Sequence, residues 1–245
     1  MLKDKISILI PAFNEEDNIL NTINETIKVL ETINNNYEII IIDDGSSDNT
    51  YDIVSENILN FKHKVRIERY VPNMGKGYAV KYGANFIKGR YVLFLDADLD
   101  LHPDQIINFL RLMNDGEADV ISGSKMHKNS VLDYPKIRKF YSLLYYILIK
   151  ILFGLPVKDT QTGIKLFKVE AFKKAISKIV IKRYAFDLEL LVVLHKAGYK
   201  IKECPVILKS TRKYGRVGLK DAFNIFNDTL AIFYRLYIKK YYKIH

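Results

Sequence analysis

The chain predicts an α/β protein built on a mostly parallel sheet with helices on both faces. Three observations carry this expectation. Short continuous apolar runs at residues 6–10, 38–42, 65–71 and 91–95 have the length and composition of strands buried on both sides. Segments of helical period separate them. Three of the runs end in polar clusters, at residues 11–15, 43–47 and 96–100. Ligands of parallel sheets bind beyond the carboxyl ends of the strands.

The elements follow in order. After the first strand, residues 14–34 place Ile19, Ile23, Ile27 and Leu30 on one helical stripe, with Glu15, Glu16 and Asp17 in the first turn. The second strand closes on Asp43-Asp44-Gly45-Ser46-Ser47, where Ser47 or Asp48 can cap the next helix. A third strand at 65–71 leads to a helix at 77–87, and 91–95 is the fourth strand. Residues 118–122 form another strand ending in Gly123-Ser124-Lys125, and 138–155 an apolar-aromatic helix with basic flanks. A polar loop and a strand occupy 158–168, a helix 184–197, a strand 201–208, a basic loop 210–218 and a long final helix 219–242. With no repeat or linker, one domain spans residues 1–245.

Hydrophobic content of 49% and charged content of 27% describe a globular chain rather than a disordered one. The single cysteine, Cys204, excludes an internal disulfide, suits a reducing compartment and reads as a packed core residue. No signal peptide is visible, and the longest apolar run, residues 140–149, is about half of what a bilayer crossing needs. Of the net charge of +10, residues 200–245 carry +8, which implies an anionic partner or a solubilising surface.

The strand at 91–95 runs directly into Asp96, Asp98 and Asp100. Alternate spacing on an extended backbone would point all three to one side, where they repel unless a cation sits among them. A hard divalent ion with oxygen ligands, Mg²⁺ or Mn²⁺, suits such a set; the other reading is a solvated acidic turn. Asp43 and Asp44 can accept from a nucleobase or ribose hydroxyls, or simply form a turn with a helix cap. Asn73-Met74-Gly75-Lys76-Gly77 offers two glycines for close backbone approach and a lysine for a phosphate. Its spacing is neither a Walker A loop nor a dinucleotide fingerprint.

Together Pro11-Ala12-Phe13-Asn14-Glu15-Glu16, Asp43-Asp44-Gly45-Ser46, Asn73-Met74-Gly75-Lys76-Gly77 and Asp96-Ala97-Asp98 resemble the family-2 glycosyltransferases of the GT-A (Rossmann-like) fold. The resemblance covers roughly residues 1–125. It implies that Pro11, Phe13, Glu15, Asp43, Asp44, Lys76 and Ala97 belong to a nucleotide-sugar site. It also implies that Asp96 and Asp98 bind the metal bridging the donor diphosphate, with Asp100 at a third metal-contacting position. Residues 126–245 would then form the acceptor half. There Asp159-Thr160-Gln161-Thr162-Gly163-Ile164-Lys165-Leu166-Phe167 and Ala185-Phe186-Asp187-Leu188-Glu189-Leu190 are similar to dolichyl-phosphate β-glucosyltransferases. Arg138 and Ser142 match an acceptor-phosphate pair of the polyprenyl-phosphate hexose synthases, and Arg212 and Arg216 match basic residues of a late loop. Lys125 stands where the family usually has arginine, which loses a bidentate contact. Gly218 and its surroundings also depart from the pattern.

The resemblance implies a metal-dependent inverting transfer of a hexose from a nucleotide sugar, UDP-glucose favoured, to a dolichyl or polyprenyl phosphate. Such an acceptor is already largely dianionic at neutral pH, so it needs positioning cations (Arg138, Lys125, Arg212) more than a base. A hydroxyl acceptor would need a carboxylate base, Asp187 or Asp159. UDP-N-acetylglucosamine and GDP-mannose stay open as donors. The helix at 138–155 is either a buried core helix or an interfacial one. In the second case it and the basic-aromatic C-terminal helix are amphipathic elements at the membrane interface, and the protein is peripheral on a cytoplasmic membrane face. A basic-aromatic helix could instead bind nucleic acid, but the carboxylate-lined sheet edge argues against that partner.

Overall fold

Residues Ile6–Ala12 (β1) and Tyr37–Asp43 (β2) are β-branched runs with almost every side chain buried. Alternation sends Leu9, Ile40 and Ile42 into one apolar core and Ile8, Ile10, Ile39 and Ile41 into the other, so the sheet is covered on both faces. The computed structural model describes residues 4–33, 36–61, 63–132, 136–208 and 219–243, with the side chains of 136–138 and 219–220 outside that description.

Between β1 and β2 lies Ile19–Ile33 (α1), which buries Ile19, Thr22, Ile23, Thr26, Val29 and Leu30 along one stripe. The helix starts later than its periodicity suggests. Asn14 adopts φ 54°, and Asn18 N and Ile19 N both donate to Glu15 O, so residues 15–18 form a turn that leaves the acidic residues at the sheet edge. Thr50–Glu56 (α2), Val65–Arg69 (β3), Lys76–Gly83 (α3) and Tyr91–Phe94 (β4) continue the alternation. Asp48 Oδ1 accepts from Thr50 N at 3.0 Å just ahead of α2.

Then the pattern changes. Ile106–Asn114 (α4), Val120–Ser124 (β5), Val131–Leu132 (β6), Lys136–Phe153 (α5), Lys165–Lys168 (β7), Val169–Ile176 (α6), Phe186–Lys196 (α7), Ile201–Pro205 (β8), Ile207–Leu208 (β9) and Leu219–Phe233 (α8) complete the described elements. The main sheet has the order β3-β2-β1-β4-β7-β5-β8. All neighbours are parallel except β7, which runs antiparallel between β4 and β5. Its Phe167 stacks on Phe94 of β4 at 4.8 Å, and Phe172 and Phe186 join them. Residues from both halves of the chain therefore share one sheet. The strand expected at 201–208 is two, and β9 pairs with β6 in a separate ribbon. Cys204 is fully buried, and burial pushes its thiol up to about 12.

Helices α5 and α8 are the exception to burial. Ile149 and Phe153 of α5 are buried in the core and Tyr145 and Leu152 pack against it, while Phe140, Tyr141, Leu143, Leu144, Ile147 and Ile151 are exposed. On α8, Thr229 and Ile232 are buried and Phe223, Phe226 and Leu230 are exposed. The Tyr145 and Thr229 hydroxyls meet at 3.1 Å and join the two helices. No helix among the described residues is long and apolar enough to cross a membrane.

Past α8, a π-turn at Tyr234–Ile238 brings the chain back onto the fold. Glu189 of α7, wholly buried, holds this end. Its Oε1 accepts from the Tyr242 hydroxyl and pairs with Arg235 at 3.1 Å; its Oε2 accepts from Val180 N and Ile181 N. Replacing Glu189 with Ala strands four donors at once. The expected loss is roughly 3–5 kcal/mol, against about 1 kcal/mol for Tyr242→Phe, read from urea unfolding midpoints. Equal small losses would remove Glu189 from this role.

Candidate active site

Four loops meet at the carboxyl ends of β1, β2, β3 and β4, and the backbone ties them together. Asp44 N donates to Ala12 O at 2.9 Å, Asn14 N to Ser46 Oγ at 3.0 Å, and Asn14 Oδ1 accepts from Ser47 N at 2.8 Å. Gly45 sits at φ 67°, and a Cβ there would lie 2.9 Å from Asn73 N, so the second and third loops touch through a position that only glycine fits.

The buried Asp44 carboxylate builds the third loop. Oδ1 accepts from the Tyr70 hydroxyl at 2.8 Å and Met74 N at 2.7 Å; Oδ2 accepts from Asn73 Nδ2 at 3.0 Å and Gly75 N at 2.8 Å. Burial, then the Asp44 charge, pushes the Tyr70 phenol well above its usual range, which keeps it a donor. The loop delivers Lys76, whose Nζ reaches Asp96 Oδ1 at 2.6 Å.

Two further pairs lie in the second half. Lys165 Nζ, fully buried, meets Asp187 Oδ1 at 2.6 Å, and Lys125 faces Asp159 at 3.8 Å. Burial depresses the Lys165 ammonium, with Asp187 acting the other way. Burial likewise opposes the Asp96 carboxylate, but Lys76, Lys165 and Lys125 outweigh it and hold Asp96 below the usual carboxylate range. A Cβ on Gly163 would fall 1.7 Å from Asp96 Oδ2, so the 159–163 loop forms a close-fitting backbone seat for that carboxylate.

A single cavity of about 980 Å³ collects these loops. Pro11, Ala12, Phe13, Glu15, Asp44, Lys76, Asp96, Ala97 and Asp98 line its polar end, as the sequence suggests, together with Lys125 and Ser142. Tyr141, Leu144, Tyr145 and Leu148 of α5 and Ala222, Ile225 and Phe226 of α8 line an apolar end. Three residues go elsewhere or change role. Asp43 is wholly buried behind the wall, ion-paired to Arg69 at 3.0 Å and accepting from Ser46 N, and does not line the cavity. Asp100 does not line it either: β4 ends at Phe94, Leu99 adopts φ 60°, and the turn breaks the alternation that would have aligned the three aspartates. Asp159 is consumed by Lys125 N, Gln161 N and the Thr162 hydroxyl, so it is no free base. The side chain of Arg138, and Arg212, Arg216 and Gly218 entirely, lie outside the described residues.

Asp98 differs from Asp96, Asp159 and Asp187 because no lysine or arginine forms an ion pair with it among the described residues. Burial, then the charges of Asp96 and Asp100, raises its carboxyl to about 6. Asp96 and Asp98 together suit a hard divalent ion. No third His, Cys, Asp or Glu closes a cage around them among the described residues. That fits Mg²⁺-type sites, which use one or two carboxylates and leave the remaining positions to water and substrate phosphates.

Sequence reasoning missed Gln161, Arg183 and Tyr184, which also line the cavity. Arg183 and Tyr184 stand directly before the Ala185–Leu190 motif, but nothing local marks them as facing a ligand.

Fold and site together define the class: a Rossmann-like α/β protein with an aspartate- and lysine-lined cavity at the carboxyl edge of its sheet. The chain belongs to glycosyl transferase family 2, whose family model matches residues 7–176. It is 32% identical over 250 residues to a dolichyl-phosphate beta-glucosyltransferase of Trichomonas vaginalis, covering 95% of this chain and 75% of the relative. A second such enzyme of that organism is 33% identical, over 82% of this chain and 62% of its own length. One of Dictyostelium discoideum is 30% identical, over 82% and 65%. The chain thus spans under two thirds of two of these relatives. The glucosyl-3-phosphoglycerate synthase of Mycobacterium tuberculosis, solved with Mn²⁺, UDP and glucosyl-3-phosphoglycerate, superposes with TM-score 0.66 at 18% identity, over 94% of this chain and 79% of that one. At that identity the likeness speaks for the fold.

A carboxyl held above its unfolded range penalises the folded state at neutral pH, and the penalty fades as pH falls from about 6 towards the ordinary carboxylate range. Asp98→Asn should therefore stabilise the metal-free protein at pH 7.5 by on the order of 1–2 kcal/mol, and by little at pH 4.5. Unfolding midpoints at the two pH values check this; a loss of stability at pH 7.5 would contradict it.

Proposed function

We propose that this protein transfers a hexose from a nucleotide sugar, UDP-glucose favoured, to a dolichyl or polyprenyl phosphate at a membrane surface. One observation carries the reading: the cavity is continuous from the carboxylates and lysines at the sheet edge to an apolar trench between α5 and α8. A soluble sugar acceptor has no use for such a trench, whereas an isoprenoid chain does. The named relatives, dolichyl-phosphate beta-glucosyltransferases of two organisms, support the same acceptor class and a glucosyl donor.

In this reading Phe13, 42% exposed at the rim, offers its face to the nucleobase, and Glu15 lines the wall beside it. Asp44 acts indirectly, by holding the Asn73–Gly75 backbone that presents Lys76. Asp96 and Asp98 would hold Mg²⁺ or Mn²⁺, which when bound neutralises the leaving diphosphate. Lys76 adds a second positive charge at the same place.

The acceptor phosphate oxygen attacks the anomeric carbon, the bond from that carbon to the nucleoside diphosphate breaks, and the configuration inverts. The attacking oxygen carries no proton at neutral pH, so no residue need remove one. Lys125 and Ser142 line the cavity where that phosphate would sit, and Arg138, Arg212 and Arg216 are assigned to it by family resemblance. Asp187, which also lines the cavity, is the carboxylate that a hydroxyl acceptor would require.

The exposed apolar residues of α5 and α8 would rest in the headgroup region, with Lys239, Lys240 and Lys243 drawn to anionic lipid.

The decisive assay offers UDP-glucose, UDP-N-acetylglucosamine and GDP-mannose, each with polyprenyl phosphate or with free saccharides, and follows nucleotide release. Release is expected with UDP-glucose and the lipid phosphate, and Asp98→Ala should lower it by at least about 100-fold, the loss typical of removing one transition-state charge contact. Transfer to saccharides alone would sink the lipid reading. For the membrane, Ile151→Glu, a residue 76% exposed and outside the cavity lining, should reduce co-flotation with anionic vesicles. Undiminished flotation would remove α5 from the interface.

A further inference from the structure

The cations lining the cavity are not alike. Among the described residues its wall carries five carboxylates, Glu15, Asp44, Asp96, Asp98 and Asp187, and three cations, Lys76, Lys125 and Arg183. Two of those cations are already engaged: Lys76 with Asp96 at 2.6 Å and Lys125 with Asp159 at 3.8 Å. Arg183 is different. It is exposed to the cavity and makes no ion pair or hydrogen bond through its side chain among the described residues.

Its placement is nonetheless defined. Gly75 stands at φ 97°, and a Cβ there would lie 2.8 Å from Arg183 Cγ and 2.6 Å from Lys182 O. The aliphatic stem of Arg183 therefore runs across the residue that immediately precedes Lys76. The backbone beneath it is anchored. Tyr78 N donates to Lys182 O at 3.2 Å, Ile181 N to the buried Glu189 at 2.8 Å, and Phe186 N to Arg183 O at 3.1 Å. A guanidinium with a seated stem and a head that no carboxylate among the described residues engages, set in the wall of this cavity, is arranged for an incoming anion. Its planar fork matches two oxygens of one phosphate, which an ammonium cannot do. Lys125, where the family usually has arginine, leaves that bidentate function open.

We propose that Arg183 is a substrate-binding residue that grips a phosphate group in this cavity, that of the donor diphosphate or of the acceptor monoester. The assignment rests on the transferase reading above for the identity of the two phosphates, but not for the existence of the site.

The test uses the whole chain with Arg183→Gln and Arg183→Lys. One arm measures UDP affinity in the presence of Mn²⁺ by calorimetry; the other measures affinity for farnesyl phosphate, with its KM and kcat in transfer from UDP-glucose. Arg183→Gln is expected to weaken one arm at least 10-fold, and Arg183→Lys to recover only part of it. The unfolding midpoint should not move, since the head group has no partner to lose among the described residues. Loss confined to UDP assigns the donor diphosphate, and loss confined to farnesyl phosphate assigns the acceptor. Both affinities within twofold of wild type would overturn the proposal. The binding arms need no turnover. If wild type binds these ligands but transfers no sugar to a lipid phosphate, the functional reading fails while Arg183 is still judged. If transfer proceeds unchanged in Arg183→Gln with both affinities unchanged, Arg183 fails and the functional reading stands.

Discussion

Pairing of aspartate with lysine at the carboxyl edge of the sheet is the constraint on which the rest of the site depends. Asp96, Asp159 and Asp187 are drawn from three different segments, and each is met by a lysine from another: Lys76, Lys125 and Lys165. Carboxylates in a partly desolvated cavity are costly unless compensated, and removing one partner of such a pair costs more than the pair contributes. The pairs therefore lock separate segments of the cavity wall to one another, while β7, lying between β4 and β5, joins the two halves of the chain by hydrogen bonds. Asp98 forms no such pair among the described residues, and burial, then the charges of Asp96 and Asp100, raises its carboxyl. A cation supplied from solution answers what the chain leaves open.

Buried carboxylates do a second job here, as collectors of backbone N–H groups. Asp44 takes Met74 N and Gly75 N, and Glu189 takes Val180 N and Ile181 N. These two segments then touch, since Cβ atoms on Gly75 and Gly77 would collide with residues 181–186. The polar end of the cavity is thus held from both sides by charged acceptors. The apolar end is built differently, from two helices whose apolar side chains are largely exposed and which meet through the Tyr145 and Thr229 hydroxyls and the Phe153 and Phe233 rings. A polar end held by buried carboxylates beside an apolar end open to its surroundings suits a ligand with a polar head and a greasy tail.

The alternation of strands and helices through residue 95 was legible because both faces of each strand are apolar, and burial on both faces leaves a continuous run. β7 was expected as a strand, but not its antiparallel place inside the sheet, since direction and neighbours are set by long-range pairing. α4 and α6 carry the right spacing, Ile106, Phe109, Leu110 and Met113 in the first case, yet are short enough for loops to mask them. Asp100 misled because alternation holds only while the backbone is extended, and the strand ceases at Phe94, with Leu99 at φ 60° turning the chain before Asp100. Asp43 misled because adjacency to Asp44 says nothing about which of the two faces Arg69.

By itself the sequence determined the family, the motifs and the ends of the strands on which they sit, because hydrophobic period and motif spacing are local properties of the chain. Only the tertiary structure decided which of those polar groups are available to a ligand. Asp43 and Asp159 are spent on the protein itself, Asp44 is spent on a loop, and Arg183, unmarked in the sequence, has no side-chain partner among the described residues. Availability is a matter of charge pairing and burial between segments as far apart as Lys76 and Asp187, and no local pattern encodes it.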